Sequence, residues 1–509
     1  MFSTNDILAP LAIEPVQSAA YASGFGWAPV YGRQTFDAVC PADGKLSARI
    51  AGATAADYEA IVASAQQAHL RWRTTPAPRR GEVVRRIAEL IEENFESLRA
   101  AIILDTGKSP MDAERELRET IDMATLAAGQ ARMLFGSTQQ SQREKHRAYD
   151  QWLPLGVIGI ISAYNAPAAI WGQNGFLAAI GGNAILWKPH PRVPLTAIAL
   201  QNLANQVMKE YDCEGVFSLF LPQDNTVAEL LVADKRIALI SFTGSSRVGH
   251  RVADVVSASL GRRYLLECSG NNGCIVDETA DLKQAARAIT FGTVGVTGQL
   301  CTSTRRVIAH HSIADELVRL LKLAFEQIKV GDPRDAGTVV GPLIDPAAVG
   351  HFEEAIRTAT SLGGQVVQGG QRIDRPGNYV QPTIITGAQP DWPCVQNETF
   401  APIVYVLRYN DLEEAIRIHN GVAQGLAAGM HSTNLSNLET FLSAAGSDTG
   451  MVRINMGTTG ADVGQAFGGE KETGFGRVGG SDAWKGYMRR QSVCVNWGGG
   501  SAWDNRITL

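Results

Sequence analysis

The chain has 509 residues, 45% of them hydrophobic and 19% charged, a globular composition spread over more length than one core fills, so two or three domains are expected. Lys+Arg 46 against Asp+Glu 51 leave a net charge of −5, which excludes a broadly basic nucleic-acid-binding surface. The cysteines number 7, are scattered and form no CxxC, so neither a disulfide framework nor a zinc site is read from them and a reducing, cytoplasmic compartment is expected.

The opening MFSTNDILAPLAIEP has no basic start and carries Asp6 before any apolar run, unlike a signal peptide. Residues 53–135 read as helical, with apolar residues at helical spacing over Tyr58–Trp72 and Arg79–Ile103. The stretch RAYDQWL at 147–153 mixes period-two features with large aromatics, as a hairpin strand does. From Gln151 to Trp187 no residue is charged, a length that could span a bilayer. Pro154, Asn165, Pro167, Gln173, Asn174 and Gly181-Gly182 interrupt it, so it reads as strand, turn, buried helix and strand within a core.

The runs 156–164, 184–188, 216–221 and 237–242 are short and continuously apolar, with helical segments between them. Strands buried on both faces look like this, and the alternation predicts βαβ units around a parallel sheet. A second αβ series begins near Gly270, with strands expected at 306–309, 383–385 and 403–408 and helices at 313–330, 346–362 and 412–420. The terminal QSVCVNW (491–497) alternates like a strand and suits pairing with 147–153. Two such strands are marginal alone, so an arm that meets another subunit is expected.

Two glycine-rich motifs are ambiguous. Residues 474–479 match GxGxxG, but no buried strand precedes them and a turn is the better reading. Residues 244–249 have the glycine spacing of a phosphate loop, yet His250-Arg251 replace its Lys-Ser/Thr. An apolar strand does end at Phe242 and a helix opens near Ser245, which suits either a pyrophosphate or a plain helix cap. The histidines form no ligand cluster, His310 and His311 are expected on opposite strand faces, and no metal site is expected.

Chemistry concentrates between Tyr264 and Arg306. Cys301, read as opening a helix near Arg305 and Arg306, is a nucleophile if its pKa is lowered there, or a small buried hydrophobe. Glu267, ending an apolar strand, is a general base if burial raises its pKa, or a strand-end ion-pair partner. Asn165 either donates to an oxyanion or closes an Asx turn before Pro167.

FTGSS (242–246), LECSGNN (266–272), GQLC (298–301), ETFAP (398–402) and NAP (165–167) occur in the order of the aldehyde dehydrogenase superfamily, which the chain resembles from about residue 53 onward. PGNYVQPTI (376–384), ETFAP, TTGADVGQAFGGEKETGFGR (458–477) and GSDAWKGYMRRQ (480–491) resemble its family 7, the antiquitin branch. That branch oxidises α-aminoadipic semialdehyde, in equilibrium with piperideine-6-carboxylate, in lysine breakdown. The resemblance implies an α/β fold with a Rossmann-like dinucleotide-binding domain (1–133 and 156–268). An α/β catalytic domain (269–482) and a β-strand oligomerisation arm (134–155 and 483–509) complete it.

It also implies roles. Cys301 attacks the aldehyde, Asn165 and the Cys301 N–H hold the oxyanion, and Glu267 activates water against the thioester. Retention of Glu267 argues against transfer to coenzyme A. Lys188, Gly244, Ser245, Glu398 and Phe400 hold the cofactor, read as NAD with NADP as the alternative because Pro191 stands where many NAD-preferring relatives have Glu. Trp171, Leu300, Gly460 and Ala461 line the substrate pocket, and Glu119 matches a pocket acid.

Two departures stand out. Leu300 replaces the branch's Arg before the cysteine, and Cys268-Ser269 replace the usual Leu-Gly. Leu300 motivates an alternative substrate, an uncharged aliphatic or aromatic aldehyde; the 268–269 pair leaves a non-catalytic dinucleotide-binding protein as another. The expected partners are a small-molecule aldehyde and further copies of the chain as a dimer or tetramer, without nucleic acid or membrane.

Overall fold

A computed structural model of the protein describes residues 4–460 and 462–498. The helical region holds Ala55–Trp72, Ala77–Glu93, Phe95–Thr106 and Pro110–Gln130. Thr54 and Asp57 close a reciprocal capping box on the first of these. The expected helix over 79–103 is two, broken at Asn94, which donates its side-chain amide back to Leu90 O and starts the next helix.

A seven-stranded sheet follows, in the order Arg263–Glu267, Ile237–Thr243, Val157–Ile161, Ala184–Lys188, Phe217–Phe220, Ala20–Ala22, Gly26–Trp27. Its first five strands are parallel and the N-terminal hairpin adds antiparallel. Strand order reverses on either side of Val157–Ile161, which opens a crevice beyond the carboxyl ends of that strand and Ile237–Thr243. The uncharged stretch resolves into strand, helix and strand. Its helix, Pro167–Ile180, is buried on all sides except at Gln173. Among the described residues no helix is long and apolar enough to cross a membrane.

The second sheet runs Gln365–Gln368, Thr383–Thr386, Ile403–Tyr409, Thr304–His310, Asn272–Val276, Ala427–His431, Met451–Ile454, parallel after its first pair. Ala427–His431 (AAGMH) and Met451–Ile454 escaped the sequence reading, the former because it lacks the β-branched and aromatic residues that mark strands. A small sheet of Val16–Ser18, Leu46–Ala51 and Thr35–Val39 stands apart.

Met488–Asn496 pairs antiparallel with His146–Pro154 along nine residues, and Thr138–Gln140 covers the other edge of the latter. The two suspected strand segments therefore meet within one chain, and Met488–Asn496 is left as an edge strand. His310 and His311 do not diverge: the strand ends at His310, and the turn brings the two rings to 4.3 Å between centroids. Residues 474–479 form an irregular loop that follows the turn at 472–473, with Gly474 and Gly476 at φ +132 and +90.

Candidate active site

Both large sheets deliver residues to one place because Glu267 ends the first and Asn272 begins the second, with only four residues between them. Glu267 is 2% exposed. Removal from water raises its pKa to about 8; a hydrogen bond with the Cys301 thiol opposes this rise and the Glu398 charge adds to it. Its Oε1 is buried without a hydrogen-bond partner among the described residues.

Cys301 does not open a helix. It lies in a turn between the short 3-10 segment Gly295–Gly298 and the strand Thr304–His310. No helix terminus lowers its pKa, and Arg305, the expected nearby cation, is instead directed to Glu398 at 3.6 Å. Desolvation raises the thiol well above its ordinary value, and the Glu267 carboxylate raises it further by charge and by hydrogen bonding. The resting pair is therefore a protonated thiol against a carboxyl group that also favours its proton.

The loop carrying Cys301 is tightly held. Asn272 Nδ2 donates to Cys301 O at 2.8 Å and to Ser303 O at 2.7 Å. Arg305 donates to Leu300 O at 3.1 Å and to Ala401 O at 2.8 Å. Gln299 Oε1 accepts from Ile344 N at 3.0 Å and Tyr164 Oη at 3.5 Å. Val296 and Thr297 both take left-handed φ, 51° and 57°, which is costly for β-branched residues and is sustained by this surrounding lattice. Gly298 has φ +69, and a Cβ there would lie 2.5 Å from the Ala401 carbonyl carbon; one at Gly270 would lie 2.1 Å from Cys301 O. The nucleophile loop, the 267–272 turn and the 398–402 loop thus fit together only with glycine at both points.

Asn165 is 6% exposed and directly precedes the N-cap of Pro167–Ile180. No hydrogen bond engages its amide among the described residues, so the Asx-turn reading does not hold. Tyr164, its neighbour, reaches the Cys301 loop through Gln299 and lies 6.0 Å from the Phe400 ring.

Glu398 accepts from Gly270 N at 3.4 Å, and burial raises its pKa to about 7 against the opposing pull of Arg305. The Arg305 guanidinium also lies 5.5 Å from the Phe400 ring centroid. Across the crevice, Ser245 is the N-cap of Ser246–Ser257 without a capping side-chain bond; Ser246 N donates to Ser269 Oγ at 3.3 Å, which leaves the Ser245 hydroxyl and the Arg247 N–H for an anion. Gly244 N donates to Glu267 O at 3.1 Å. Lys188 ends its strand without an acidic partner among the described residues, and burial lowers its pKa to about 8. An unengaged lysine, a partly open helix start and a buried carboxylate fit a dinucleotide with ribose hydroxyls and a pyrophosphate.

Trp171 departs from expectation. It is fully buried, its ring 5.2–5.6 Å from those of Phe176, Trp187 and Phe217. One helical face carries it into the core between helix and sheet, so it has no surface for substrate. Leu300 is partly exposed beside Cys301. Gly460, exposed with φ +84, lies two residues after Thr458, which bonds Thr302 O at 2.7 Å and the Thr304 hydroxyl at 2.8 Å. Ala461 lies outside the described residues. Glu119 sits on Pro110–Gln130, half-buried, with its pKa raised to about 7 by burial and the nearby Glu116.

Of the residues that hold the nucleophile loop, Asn272 and Thr458 were not singled out in the sequence, and Arg305 was read there only as a nearby cation. Asn272 lay within a quoted motif, but nothing in spacing tells a loop clamp from an ordinary strand residue. Among the described residues no group of His, Cys, Asp and Glu could hold a metal ion.

Residues 27–493 match the aldehyde dehydrogenase family. The chain is 42% identical over 466 residues to a putative aldehyde dehydrogenase family 7 member A1 homolog of Caenorhabditis elegans, covering 91% of this chain and 88% of that one. It is 42% identical over 458 residues to an α-aminoadipic semialdehyde dehydrogenase of Bos taurus, covering 90% and 85%. Among solved structures, betaine aldehyde dehydrogenase from Staphylococcus aureus, in complex with NAD+, superposes with a TM-score of 0.91 at 26% identity over 99% of both chains. A 3,6-anhydro-L-galactose dehydrogenase matches with a TM-score of 0.89 at 30% identity over 94% of this chain and 100% of that one. The chain belongs to the aldehyde dehydrogenase family and is an NAD(P)-dependent enzyme that oxidises aldehydes.

Proposed function

We propose that the enzyme oxidises α-aminoadipic semialdehyde to its acid with NAD, using Cys301 as nucleophile, Asn165 as oxyanion donor and Glu267 as base. The contact between the Cys301 thiol and the Glu267 carboxyl carries this reading, because it joins a nucleophile to a group able to take its proton. The Bos taurus relative named for that substrate, 42% identical over 90% of the chain, supports the substrate.

Glu267 takes the thiol proton as Sγ bonds to the aldehyde carbon, and the carbonyl oxygen becomes an oxyanion held by the Asn165 amide and the Cys301 N–H. Lys188, Gly244, Ser245, Glu398 and Phe400 would hold NAD(P), which supplies the acceptor for the hydride lost from that carbon. The acyl group remains on Sγ as a thioester. Glu267, its proton returned to solvent, then takes one from a water whose oxygen attacks the acyl carbon, and the S–C bond breaks to release the acid. The unpartnered Oε1 of Glu267 is an acceptor suited to that water.

The exposed Gly460 N–H offers a donor for a substrate carboxylate, and half-buried Glu119 an acceptor for an ammonium. An uncharged aldehyde is the second reading, favoured by the apolar Leu300 beside the nucleophile. NADH formation from α-aminoadipic semialdehyde, hexanal and benzaldehyde separates them, with Cys301→Ala as control. A kcat/KM at least about tenfold higher for the semialdehyde supports the proposal, and a preference for either plain aldehyde overturns it.

We further place the enzyme in the cytoplasm as a homodimer or homotetramer. The division into 1–133 with 156–268, 269–482, and 134–155 with 483–509 belongs to the same proposal.

A further inference from the structure

The first turns of the helix Pro110–Gln130 touch the segment that leads to Cys301. Asp112 Oδ2 accepts from Val296 N at 3.2 Å, which fixes the first turn of the helix against that loop. One turn on, Arg115 lays its guanidinium over Phe291, 4.7 Å from the ring centroid. A Cβ at Gly295 would meet Phe291 Cε2 at 3.9 Å and Leu300 Cδ1 at 4.0 Å, so Gly295 links the ring under Arg115 to the residue before the nucleophile.

The charge of Arg115 is only loosely neutralised. Its side chain is 51% exposed and the nearest carboxylate, Asp112, lies 3.9 Å away. Asp112 is already engaged by Ser109 and by Val296 N. Phe291, itself 42% exposed, holds the guanidinium against the same surface. Glu119, one further turn along the helix, supplies an acid.

We propose that Arg115 is a specificity residue that supplies, from the neighbouring helix, the positive charge absent at Leu300, and thereby selects aldehydes bearing a carboxylate at the far end of the chain. This rests on the catalytic and substrate reading above. A guanidinium resting on an aromatic face swings toward an anion without leaving a buried cavity, and its planar fork matches a carboxylate. Leu300 itself contributes an apolar wall for the methylenes between aldehyde and carboxylate. The two residues divide between them what one arginine before the cysteine would do.

The test measures kcat/KM for α-aminoadipic semialdehyde, for 6-oxohexanoate, which keeps the carboxylate and lacks the amine, and for hexanal. In Arg115→Met the ratio of each carboxylate-bearing aldehyde to hexanal falls about tenfold, mainly through KM, because the charge binds rather than reacts. Adding Leu300→Arg to that variant restores the ratio, the rescue a merely structural role would not give. If Arg115→Met changes all three substrates equally, or if Leu300→Arg fails to rescue, the inference falls while the substrate reading stands. A wild-type enzyme that prefers hexanal overturns both.

Discussion

The Cys301 thiol and the Glu267 carboxyl are neighbours at the junction of the two large sheets: the carboxylate raises the pH at which the thiol ionises, while the thiol tempers the rise that burial imposes on the carboxyl. Glu267 is held near 8 and acts as a base only above that value. The dependence of kcat/KM on pH is therefore expected to rise about tenfold per unit up to about pH 8 and then level, in a steady-state profile. Glu267→Gln should form one equivalent of NADH and then stall, which a stopped-flow burst would show.

The same shift has a consequence for stability. The folded pKa of Glu267 lies above its ordinary 4.5, so its protonated form favours the fold at low pH and that contribution is lost as pH rises through about 8. Glu267→Gln keeps a neutral group at all pH. Its melting temperature should gain on wild type steadily between about pH 5 and about pH 8, read by scanning calorimetry.

Arg305 lies 3.6 Å from Glu398 and opposes the rise in its pKa. Arg305→Met leaves that carboxylate buried without its cation, so Glu398 becomes neutral at pH 7 and a poorer acceptor for ribose hydroxyls. The KM for NAD is expected to rise about tenfold, with a parallel weakening in NADH fluorescence titration.

Lys188 is lowered to about 8 by burial, so it is a cation below that pH and neutral above it. Placed against the adenosine ribose, it favours the extra phosphate of NADP only while charged. The ratio of kcat/KM for NADP to that for NAD should fall as pH rises through about 8; a flat ratio would separate Lys188 from that phosphate.

Lys108 and Glu116 form a buried ion pair, and Glu116 Oε1 also accepts from Ala168 N at 2.7 Å, capping the helix that follows Asn165. That helix has no cap of its own, since Ala166 occupies its N-cap. Glu116→Ala should destabilise the fold by about 3–5 kcal/mol in urea unfolding, because it leaves Lys108 buried and unpaired. Lys108→Met with Glu116→Leu should cost less.

Much of the site could be read from residue order alone. Cys301, Glu267 and Asn165 each stand at a change of local pattern, Glu267 at a strand end and Asn165 just before a helix, and five short motifs in sequence tie them to one family. The parallel strands were legible because burial on both faces demands unbroken apolar runs such as Ala184–Lys188. Trp171 was misplaced because a buried helix apolar on every side carries no periodic signal of which face meets a pocket.

The sequence by itself determined the family, the alternation of strand and helix, and the three residues of the proposed chemistry, because those properties reside in residue type and order. Only the tertiary structure decided the protonation of the Cys301–Glu267 pair and the absence of a helix at Cys301. It also decided the clamp of Asn272, Arg305 and Thr458 and the place of Arg115 over Phe291. Those depend on desolvation and on contacts between segments tens to hundreds of residues apart, which no local pattern encodes.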